Sequence, residues 1–502
     1  MVISLKTIEE INQKIKEGNV CIVTAEEMIK IVKEKGEIIA AKEVDVVTTG
    51  TFGAMCSSGA FLNFGHADPP IKMEHVWLND VHAYHGNAAV DCYLGATRLA
   101  DRESNRPEGY GGGHVIEELV AGKLISLRST AYATDCYPRT SLETDITIND
   151  LNQAILCNPR NAYQRYVCAT NSTNRTLYTY MGKLLPNFGN ATFSGAGELS
   201  PLQKDPEFET IGIGTRIFLG GGIGYVIGEG TQHKPQDLYG TLFVKGDLKQ
   251  MSKDFLKGAY FKNYGCTLFV GIGIPIPVLN EKIARNCARS NEEIITQVVD
   301  YGVPRLNRPI LKDVTYAELY SGEIQVNGKL IKVSPLSSLK KAREIADILK
   351  KWIQKGKFYL TKPVELLPKY EEFKPIKIRK GVKFVESIIQ KPITCLEDHD
   401  INYVANLVLK HNTNHIIVVD NENKLKGFVT SWDITRALAK NIKLVKDMMI
   451  KKVYTANPDM TLEEAQRIMG SKDVNSLPVV DKNNKVLGII TAEDILRSHN
   501  SK

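Results

Sequence analysis

The chain has 502 residues, enough for two or three domains that each bury a core. Apolar residues make up 43% and charged residues 24%, as is usual for globular proteins, and the net charge of +7 is thinly spread. Because no basic stretch with interleaved aromatic residues occurs, nucleic acid is not an expected partner.

The first predicted element is an amphipathic helix, in which Ile8, Ile11 and Ile15 recur at helical spacing. This segment lacks the apolar centre and cleavage site of an export signal, and the longest apolar run, residues 266–279, is too short and interrupted to cross a bilayer. The nine cysteines are widely spaced and form no CxxC pair, which argues against a disulfide framework. We therefore expect a cytoplasmic protein with no membrane contact.

Two cysteines stand in turns that follow predicted strands. Cys56 lies in TFGAMCSSGAF, residues 51–61, where free backbone N–H groups can stabilise a thiolate or an anionic intermediate. Cys136 lies in DCYPRT, residues 135–140, after a predicted strand over residues 123–133, and Arg139 could hold its thiolate charged. A cysteine in a turn can also be only a small side chain that fits. Convergence of both turns at one edge of a sheet would favour a pair of reactive thiols.

Histidines cluster in loops of the same half of the chain, at His66, His82, His85, His114 and His233. His82 and His85 offer half of a metal site, with Asp80 or Asp91 as a further ligand, but this spacing is loose. We expect no bound metal and favour hydrogen-bonded loop histidines, or acid–base chemistry near a carbonyl substrate. The candidate substrate-binding residues are His66, His114 and Arg139.

Cofactor motifs are missing from the sequence. The glycine string of residues 212–230 lacks the third glycine of a dinucleotide fingerprint, and neither a GK[ST] phosphate loop nor a CxxCxxC run occurs. No lysine stands out as a Schiff-base site for pyridoxal phosphate. Any reduction that the protein carries out should therefore draw its electrons from outside the chain.

Residues 331–380 are rich in lysine and contain a predicted helix over residues 339–355, followed by a stretch punctuated by Pro363, Pro368 and Pro375. Proline pushes the preceding residue out of helical geometry, so this stretch is typical of a linker.

Beyond it the chain repeats itself, and each unit is predicted to fold as helix, strand, turn, strand, helix. The signature G-[apolar]-[apolar]-T-x-x-D-[apolar] occurs once in each unit, and this arrangement over residues 383–500 resembles the CBS domain pair. In that family the paired repeats form clefts for adenosine-containing ligands. The resemblance implies ligand contacts at Thr394, Thr430, Asp433, Thr455, Thr491 and Asp494.

A structural alternative applies to the same signature. Thr-x-x-Asp ahead of an apolar run is a helix capping box, in which the carboxylate only satisfies backbone N–H groups. Both roles are compatible, because a helix N-terminus offers donors and a positive dipole to an anionic or hydroxyl-rich ligand.

The large N-terminal region carries three long motifs: MCSSGAFLNFGHADPPIK at residues 55–72, YGGGHVIEELVAGK at residues 110–123, and DCYPRT. With these motifs it resembles the archaeal-type homocysteine biosynthesis family. The resemblance implies a sulfurtransferase that converts L-aspartate semialdehyde to L-homocysteine with sulfide-derived sulfur. It further implies that Cys136 carries the sulfur as a persulfide, that Cys56 is the second cysteine of the chemistry, and that a ferredoxin-type iron–sulfur protein supplies electrons.

The predicted architecture is α/β: a large mixed α/β catalytic domain over residues 1–375, a linker over 376–387, and CBS domains over 388–445 and 446–502, which would form a homodimer. S-adenosylmethionine or methylthioadenosine is the expected regulatory ligand rather than ATP, because homocysteine feeds S-adenosylmethionine and no tight Lys/Arg cluster flanks the signatures. Two alternatives remain. One is a non-catalytic adenosyl-ligand sensor whose large domain binds a metabolite, and the other is a metal-dependent hydrolase built on His82 and His85.

Overall fold

The structure is a computed structural model that describes residues 6–372, 376 and 381–500. The chain divides into two compact units, Met1–Val299 with Ile310–Lys374 and Asp300–Pro309 with Pro375–Lys502. Both units mix helices with β-sheets, so the predicted α/β class is confirmed. Among the described residues no helix is both long enough and apolar enough to cross a membrane.

The helices of the first unit are short. They are α1 (Ile8–Glu17), α2 (Ala25–Lys35), α3 (Glu37–Glu43), α4 (Gly112–Val120), α5 (Pro201–Lys204), α6 (Glu281–Cys287), α7 (Tyr316–Tyr320) and α8 (Leu339–Gln354). The first and last of these match predicted helices. In α1 the three isoleucines are buried and Thr7 forms a capping box with Glu10, which satisfies backbone donors at the helix start.

The strands of the first unit are β1 (Ile22–Thr24), β2 (Val46–Thr48), β3 (Thr51–Ala54), β4 (Gly59–Asn63), β5 (His75–Leu78), β6 (Val81–Ala83), β7 (Asp91–Gly95), β8 (Ile125–Thr130), β9 (Ser141–Ile146), β10 (Gln153–Asn161), β11 (Cys168–Thr170), β12 (Leu177–Thr179), β13 (Gly182–Leu184), β14 (Ala191–Phe193), β15 (Gly212–Ile213), β16 (Arg216–Leu219), β17 (Gly222–Glu229), β18 (Leu242–Asp247), β19 (Leu256–Phe261), β20 (Gly265–Gly273), β21 (Pro275–Pro277), β22 (Ile295–Asp300), β23 (Ile310–Thr315), β24 (Glu323–Val326), β25 (Lys329–Pro335) and β26 (Glu365–Leu366).

An antiparallel sheet of the order β19-β20-β16-β17-β18-β10-β4-β7 forms the centre of this unit, and β3 also pairs with β20. A second sheet, β6-β5-β8-β9, carries the histidine-rich hairpin and the strands on either side of Cys136. A third sheet has the order β23-β22-β11-β14-β25-β24. Ala60 and Leu62 of β4 are buried in the main core, whereas Phe61 between them is exposed, so β4 alternates as a half-buried strand should.

Helix α4 lies unusually close to the central sheet. A Cβ atom at Gly112 would lie 2.0 Å from the carbonyl oxygen of Gly95, and one at Gly113 would lie 2.2 Å from that of Thr267. The glycine run before His114 is therefore needed to bring the start of α4 against β7 and β20. Any side chain there would force the helix away from the sheet.

The proline-punctuated stretch after α8 is part of the first unit, and its interpretation as a linker is wrong up to residue 372. Phe358 and Leu360 are buried in the same core cluster as α8, and β26 pairs with β15. His233 lies with Nε2 2.9 Å from the carbonyl oxygen of Pro368. Proline disfavours helix but is compatible with extended chain at a sheet edge, which explains the error. Pro375 and part of the predicted linker, residues 377–380, lie outside the described residues.

The second unit contains two similar halves. Their elements are β27 (Thr394–Leu396), α9 (Ile401–His411), β28 (His415–Val419), β29 (Leu425–Thr430), α10 (Ser431–Ala439), α11 (Leu462–Lys472), β30 (Ser476–Val480), β31 (Val486–Thr491) and α12 (Ala492–Asn500). The halves pack through apolar strand residues, among them Ile417, Phe428 and Ile489. This agrees with the predicted order of elements in each repeat.

The segment ahead of each half crosses to the other half. Val385 is buried in the core of the second half, and Gln390 forms a bridge with Ile489. Conversely, Val445 is buried in the core of the first half. A Cβ atom at the signature glycine Gly488 would lie 2.1 Å from Cγ2 of Ile389, so this glycine makes room for the crossing segment.

Candidate active site

Cys56 lies in the turn between β3 and β4 and is half-buried. The backbone N–H of Met55 donates to the carbonyl oxygen of Leu268 at 2.8 Å, which holds the turn against β20. The hydroxyl of Thr267 donates to Cys56 Sγ at 3.3 Å. Burial, together with Coulomb repulsion from Cys56, raises the pKa of Tyr264 to about 12, so its hydroxyl stays protonated beside the thiol.

A second thiol and an imidazole adjoin this turn. Cys266, next to Thr267 on β20, is buried, and its Sγ lies 3.4 Å from Nδ1 of His114. Burial raises the pKa of Cys266, although the backbone N–H groups of Gly113 and His114 at the start of α4 act in the opposite direction. Burial lowers the pKa of His114, so its ring is neutral near pH 7.

Hydrogen bonds from β10 fix the other side of the Cys56 turn. Ser57 Oγ lies 2.8 Å from Oδ1 of Asn158 and 2.9 Å from the carbonyl oxygen of Arg160, and the Asn158 amide donates to Ser58 Oγ at 2.8 Å. Arg160 is thereby placed beside the turn. Its Nη1 donates to Gln232, while its Nε is buried without a hydrogen-bond partner. Sequence reasoning missed Arg160, because nothing in its local pattern distinguishes it from other arginines.

Cys136 is exposed, at the tip of the connection between β8 and β9. Arg139 anchors this connection: its Nε donates to the carbonyl oxygen of Pro69 at 3.0 Å and its Nη2 to that of Asp68 at 2.6 Å. The ring of His66 stacks on Tyr137 with 5.7 Å between centroids. The structure thus uses Arg139 and His66 to hold the Cys136 loop.

Strand β4 separates the two cysteines. Cys56 precedes β4, whereas residues 64–71, on which Arg139 is anchored, follow it. Five residues of extended strand span about 14 Å. Convergence of Cys56 and Cys136 at one edge of one sheet is not observed, because Cys56 follows β3, which pairs with the central sheet, whereas Cys136 follows β8 of the second sheet.

The candidate substrate-binding residues divide in the same way. His114 belongs to the Cys56 site, while His66 and Arg139 belong to the Cys136 loop. No hydrogen bond within residues 6–372 joins the two groups.

Both repeat signatures of the second unit form helix caps. Thr430 Oγ1 lies 2.6 Å from Oδ2 of Asp433, and the corresponding distance from Thr491 to Asp494 is 2.7 Å. In each pair the carboxylate also accepts the threonine backbone N–H. The capping role is thus established for both carboxylates.

The other two predicted ligand residues, Thr394 and Thr455, lie on the segments that enter the two halves. Thr394 begins β27, and Thr455 directly precedes the bridge between Ala456 and Val479. Burial lowers the pKa of His415 on β28, and the Asp494 carboxylate opposes that shift, which places the cap of the second half near a strand of the first. These threonines and carboxylates can therefore border shared clefts between the halves.

The family described as "Homocysteine biosynthesis enzyme, sulfur-incorporation" matches residues 20–360. The chain belongs to this homocysteine biosynthesis family. The CBS domain family matches residues 385–440 and 445–500, so the predicted domain pair is confirmed.

Two relatives are similar to this chain over almost its whole length. It is 51% identical over 492 residues to the L-aspartate semialdehyde sulfurtransferase of Methanosarcina acetivorans, with 98% of each chain covered. It is 52% identical over 512 residues to the enzyme of that name from Methanocaldococcus jannaschii, with 99% of each covered. A crystallised CBS domain pair in complex with 5′-methylthioadenosine and S-adenosyl-L-methionine is 38% identical, covers 24% of this chain and 98% of its own, and has a TM-score of 0.23.

Thiol reactivity should follow burial in this homocysteine biosynthesis family member. We expect iodoacetamide to modify Cys136 fastest, because its side chain is exposed, whereas burial and the Asp45 carboxylate raise the pKa of the other exposed thiol, Cys21. Burial raises the pKa of Cys92, Cys168, Cys287 and Cys395 to about 12, so at pH 8 only about one part in ten thousand of each is thiolate. Peptide mass spectrometry after brief alkylation measures this order, and guanidinium-unfolded protein is the control. Equal labelling of Cys92 and Cys136 in folded protein would contradict it.

Proposed function

We propose that this protein is an L-aspartate semialdehyde sulfurtransferase that forms L-homocysteine. The observation that carries the proposal is the Cys56 turn, an accessible thiol beside the hydroxyls of Thr267 and Tyr264 and near the neutral ring of His114. Full-length relatives that are 51% and 52% identical bear the name of this activity.

The reaction balances with an external electron donor. An aldehyde, hydrogen sulfide, two electrons and two protons give a thiol and water. If the sulfur arrives as the outer atom of a persulfide, two further electrons and two protons release it and restore the carrier thiol. The sequence holds no nicotinamide, flavin or cluster fingerprint. We therefore assign electron delivery to a ferredoxin-type iron–sulfur protein.

Cys136 and Cys56 have different roles in the proposed reaction. Cys136 is the persulfide carrier: its exposed thiolate attacks the S–S bond of a persulfide or polysulfide donor, takes the outer sulfur and releases the donor's thiolate, so that no oxidant is needed. Cys56 receives the sulfur at the aldehyde site, where Thr267 and Tyr264 can donate hydrogen bonds to a sulfur anion or to the aldehyde oxygen. His114 is placed to move a proton near that site.

Sulfur transfer takes place between two copies of the chain. Within one chain the carrier and the acceptor follow strands of different sheets, and the hydrogen bonds of Arg139 restrain the Cys136 loop. The chain acts as a homodimer, in which the Cys136 loop of one copy reaches the Cys56 site of the other. In a two-fold dimer both sites are completed in this way.

Arg160 binds the substrate carboxylate. Two other arginines of the first unit are engaged elsewhere, since Arg139 donates to backbone carbonyls and Arg128 lies over the Trp77 ring at 4.0 Å. The backbone carbonyl of Arg160 accepts a hydrogen bond from Ser57 of the Cys56 turn, and the buried Nε of its side chain lacks an acceptor. A carboxylate would satisfy that donor and form a charge-assisted hydrogen bond.

The CBS pair binds S-adenosylmethionine or methylthioadenosine and thereby regulates the enzyme. Threonine and aspartate side chains stand at the starts of α10 and α12, where hydroxyls of a ribose can be held. Regulation requires that the ligand bind two conformations of the pair with different affinity.

The first test concerns the thiols. With aspartate semialdehyde, inorganic polysulfide as the sulfur donor and the reduced iron–sulfur partner, Cys136→Ser and Cys56→Ser should each lose at least about 100-fold in homocysteine formation, because the thiols act as a unit. A purified heterodimer of the two variants should recover about half of the wild-type rate, since one of its two shared sites keeps both thiols. Cys21→Ser, another exposed cysteine, is the control. An inactive heterodimer would refute transfer between copies, and a fully active Cys136→Ser would refute the carrier role.

The second test concerns Arg160. Arg160→Met should raise KM for aspartate semialdehyde by about 10- to 100-fold, as expected for loss of a charged hydrogen bond. Arg160→Lys should restore part of this loss, because it keeps the charge without the fork of donors. Steady-state kinetics measure both, and Arg139→Met, which removes the anchor of the other loop, is the comparison. An unchanged KM in Arg160→Met would exclude the assignment.

The third test concerns the CBS ligand. Calorimetry on the full-length protein should detect S-adenosylmethionine or methylthioadenosine, and Asp433→Ala or Asp494→Ala should weaken binding about 10-fold or more through loss of a polar contact. Thr461→Ala is the matched control, because it removes the cap of α11 at a cost of about 1 kcal/mol without touching a signature residue. Unchanged affinity in both aspartate variants would show that these carboxylates act only as helix caps.

A further inference from the structure

Three histidines meet on the hairpin formed by β5 and β6. His75 begins β5, His82 lies in β6 opposite Trp77, and His85 follows two residues after β6. One ring nitrogen of each histidine lies within 4.8 Å of those of the other two. The sequence pattern showed only His82 and His85, because the pairing of β5 with β6 is what brings His75 to them.

The spacing of the ring nitrogens suits a tetrahedral metal ion. His75 Nδ1 and His82 Nε2 are 3.4 Å apart. Two ligands at about 2.0–2.1 Å from a tetrahedral zinc ion are separated by roughly 3.4 Å. A direct N–H···N hydrogen bond would also explain this pair, but it would not explain why the third imidazole, His85, comes within reach of both.

An aromatic ring packs beside the histidines, and the nearest carboxylates considered from the sequence bond elsewhere. The Trp77 ring lies 5.0 Å from that of His82, and Arg128 covers Trp77. The carboxylates considered earlier as ligands are engaged elsewhere: Asp80 pairs with Arg106, and Asp91 accepts a hydrogen bond from Asn63. The ligand set is therefore three imidazoles.

The geometry points to a binding site for one zinc ion at His75, His82 and His85. Imidazole is a preferred ligand of zinc, and three protein ligands leave a fourth position for water or a small anion. This inference replaces the expectation of no bound metal, which rested on His82 and His85 alone. Because His75 also pairs with Thr130 of β8, the ion would stabilise the hairpin next to the strand that leads into the Cys136 loop. The site is independent of the proposed sulfur transfer.

The test is metal titration of the full-length, reduced protein with zinc and with cobalt as a spectroscopic probe. Cobalt bound by imidazole and water gives visible bands without the near-ultraviolet charge-transfer band of a cobalt thiolate, so the spectrum separates this site from the nine cysteines. We expect one equivalent bound with the imidazole spectrum. We also expect a zinc-dependent rise in the melting temperature.

Two ligand variants and two controls complete the experiment. His85→Gln, at an exposed position that should tolerate substitution, and His82→Gln should each weaken zinc binding at least about 100-fold, more than loss of an outer hydrogen-bond partner costs. His411→Gln, an exposed histidine of α9, and Cys136→Ser should bind as the unaltered protein does. Binding that survives both ligand substitutions, binding lost in Cys136→Ser, or no binding at all would overturn the inference.

Discussion

Strand β4 pairs with β10 on one side and β7 on the other, and its register determines the positions of both cysteine sites. Ala60 and Leu62 face the core, and burying a leucine is worth about 1.5–3 kcal/mol. A slip of one residue would turn these side chains to the exposed face, so the register is strongly specified. Once it is set, the turn before β4 places Cys56 at one end of the sheet, and the loop after β4 anchors the Cys136 connection at the other.

The Cys56 end of the sheet depends on the close approach of α4. The glycines at the start of α4 allow its N-terminal N–H groups to reach the Cys266 thiol, and they bring His114 to the same place. Burial keeps the His114 ring neutral and the Tyr264 hydroxyl protonated. An uncharged acid–base pair beside an accessible thiol suits carbonyl chemistry, in which charge develops only as the reaction proceeds.

The predictions from sequence succeeded where the pattern was local and repeated. The apolar spacing in α1 and α8 predicted both helices, and the duplicated Thr-x-x-Asp signature predicted a pair of like halves. They failed where a local pattern has two meanings. The prolines after α8 indicated a linker, but they occur in extended chain that β26 attaches to the first unit. The predicted linker, residues 376–387, contains Val385, whose side chain is buried in the core of the second half.

By itself the sequence determined the family, the mixed α/β class and the CBS pair. It also showed that two cysteines stand in turns after strands. These features follow from residue order over short stretches. Only the tertiary structure decided which residues meet. It separated Cys56 from Cys136, placed Thr267 and Arg160 at the Cys56 turn, and joined His75 to His82 and His85. The physical reason is that such contacts depend on strand register between distant segments. Register is set by the burial of whole sheet faces, and no single motif records it.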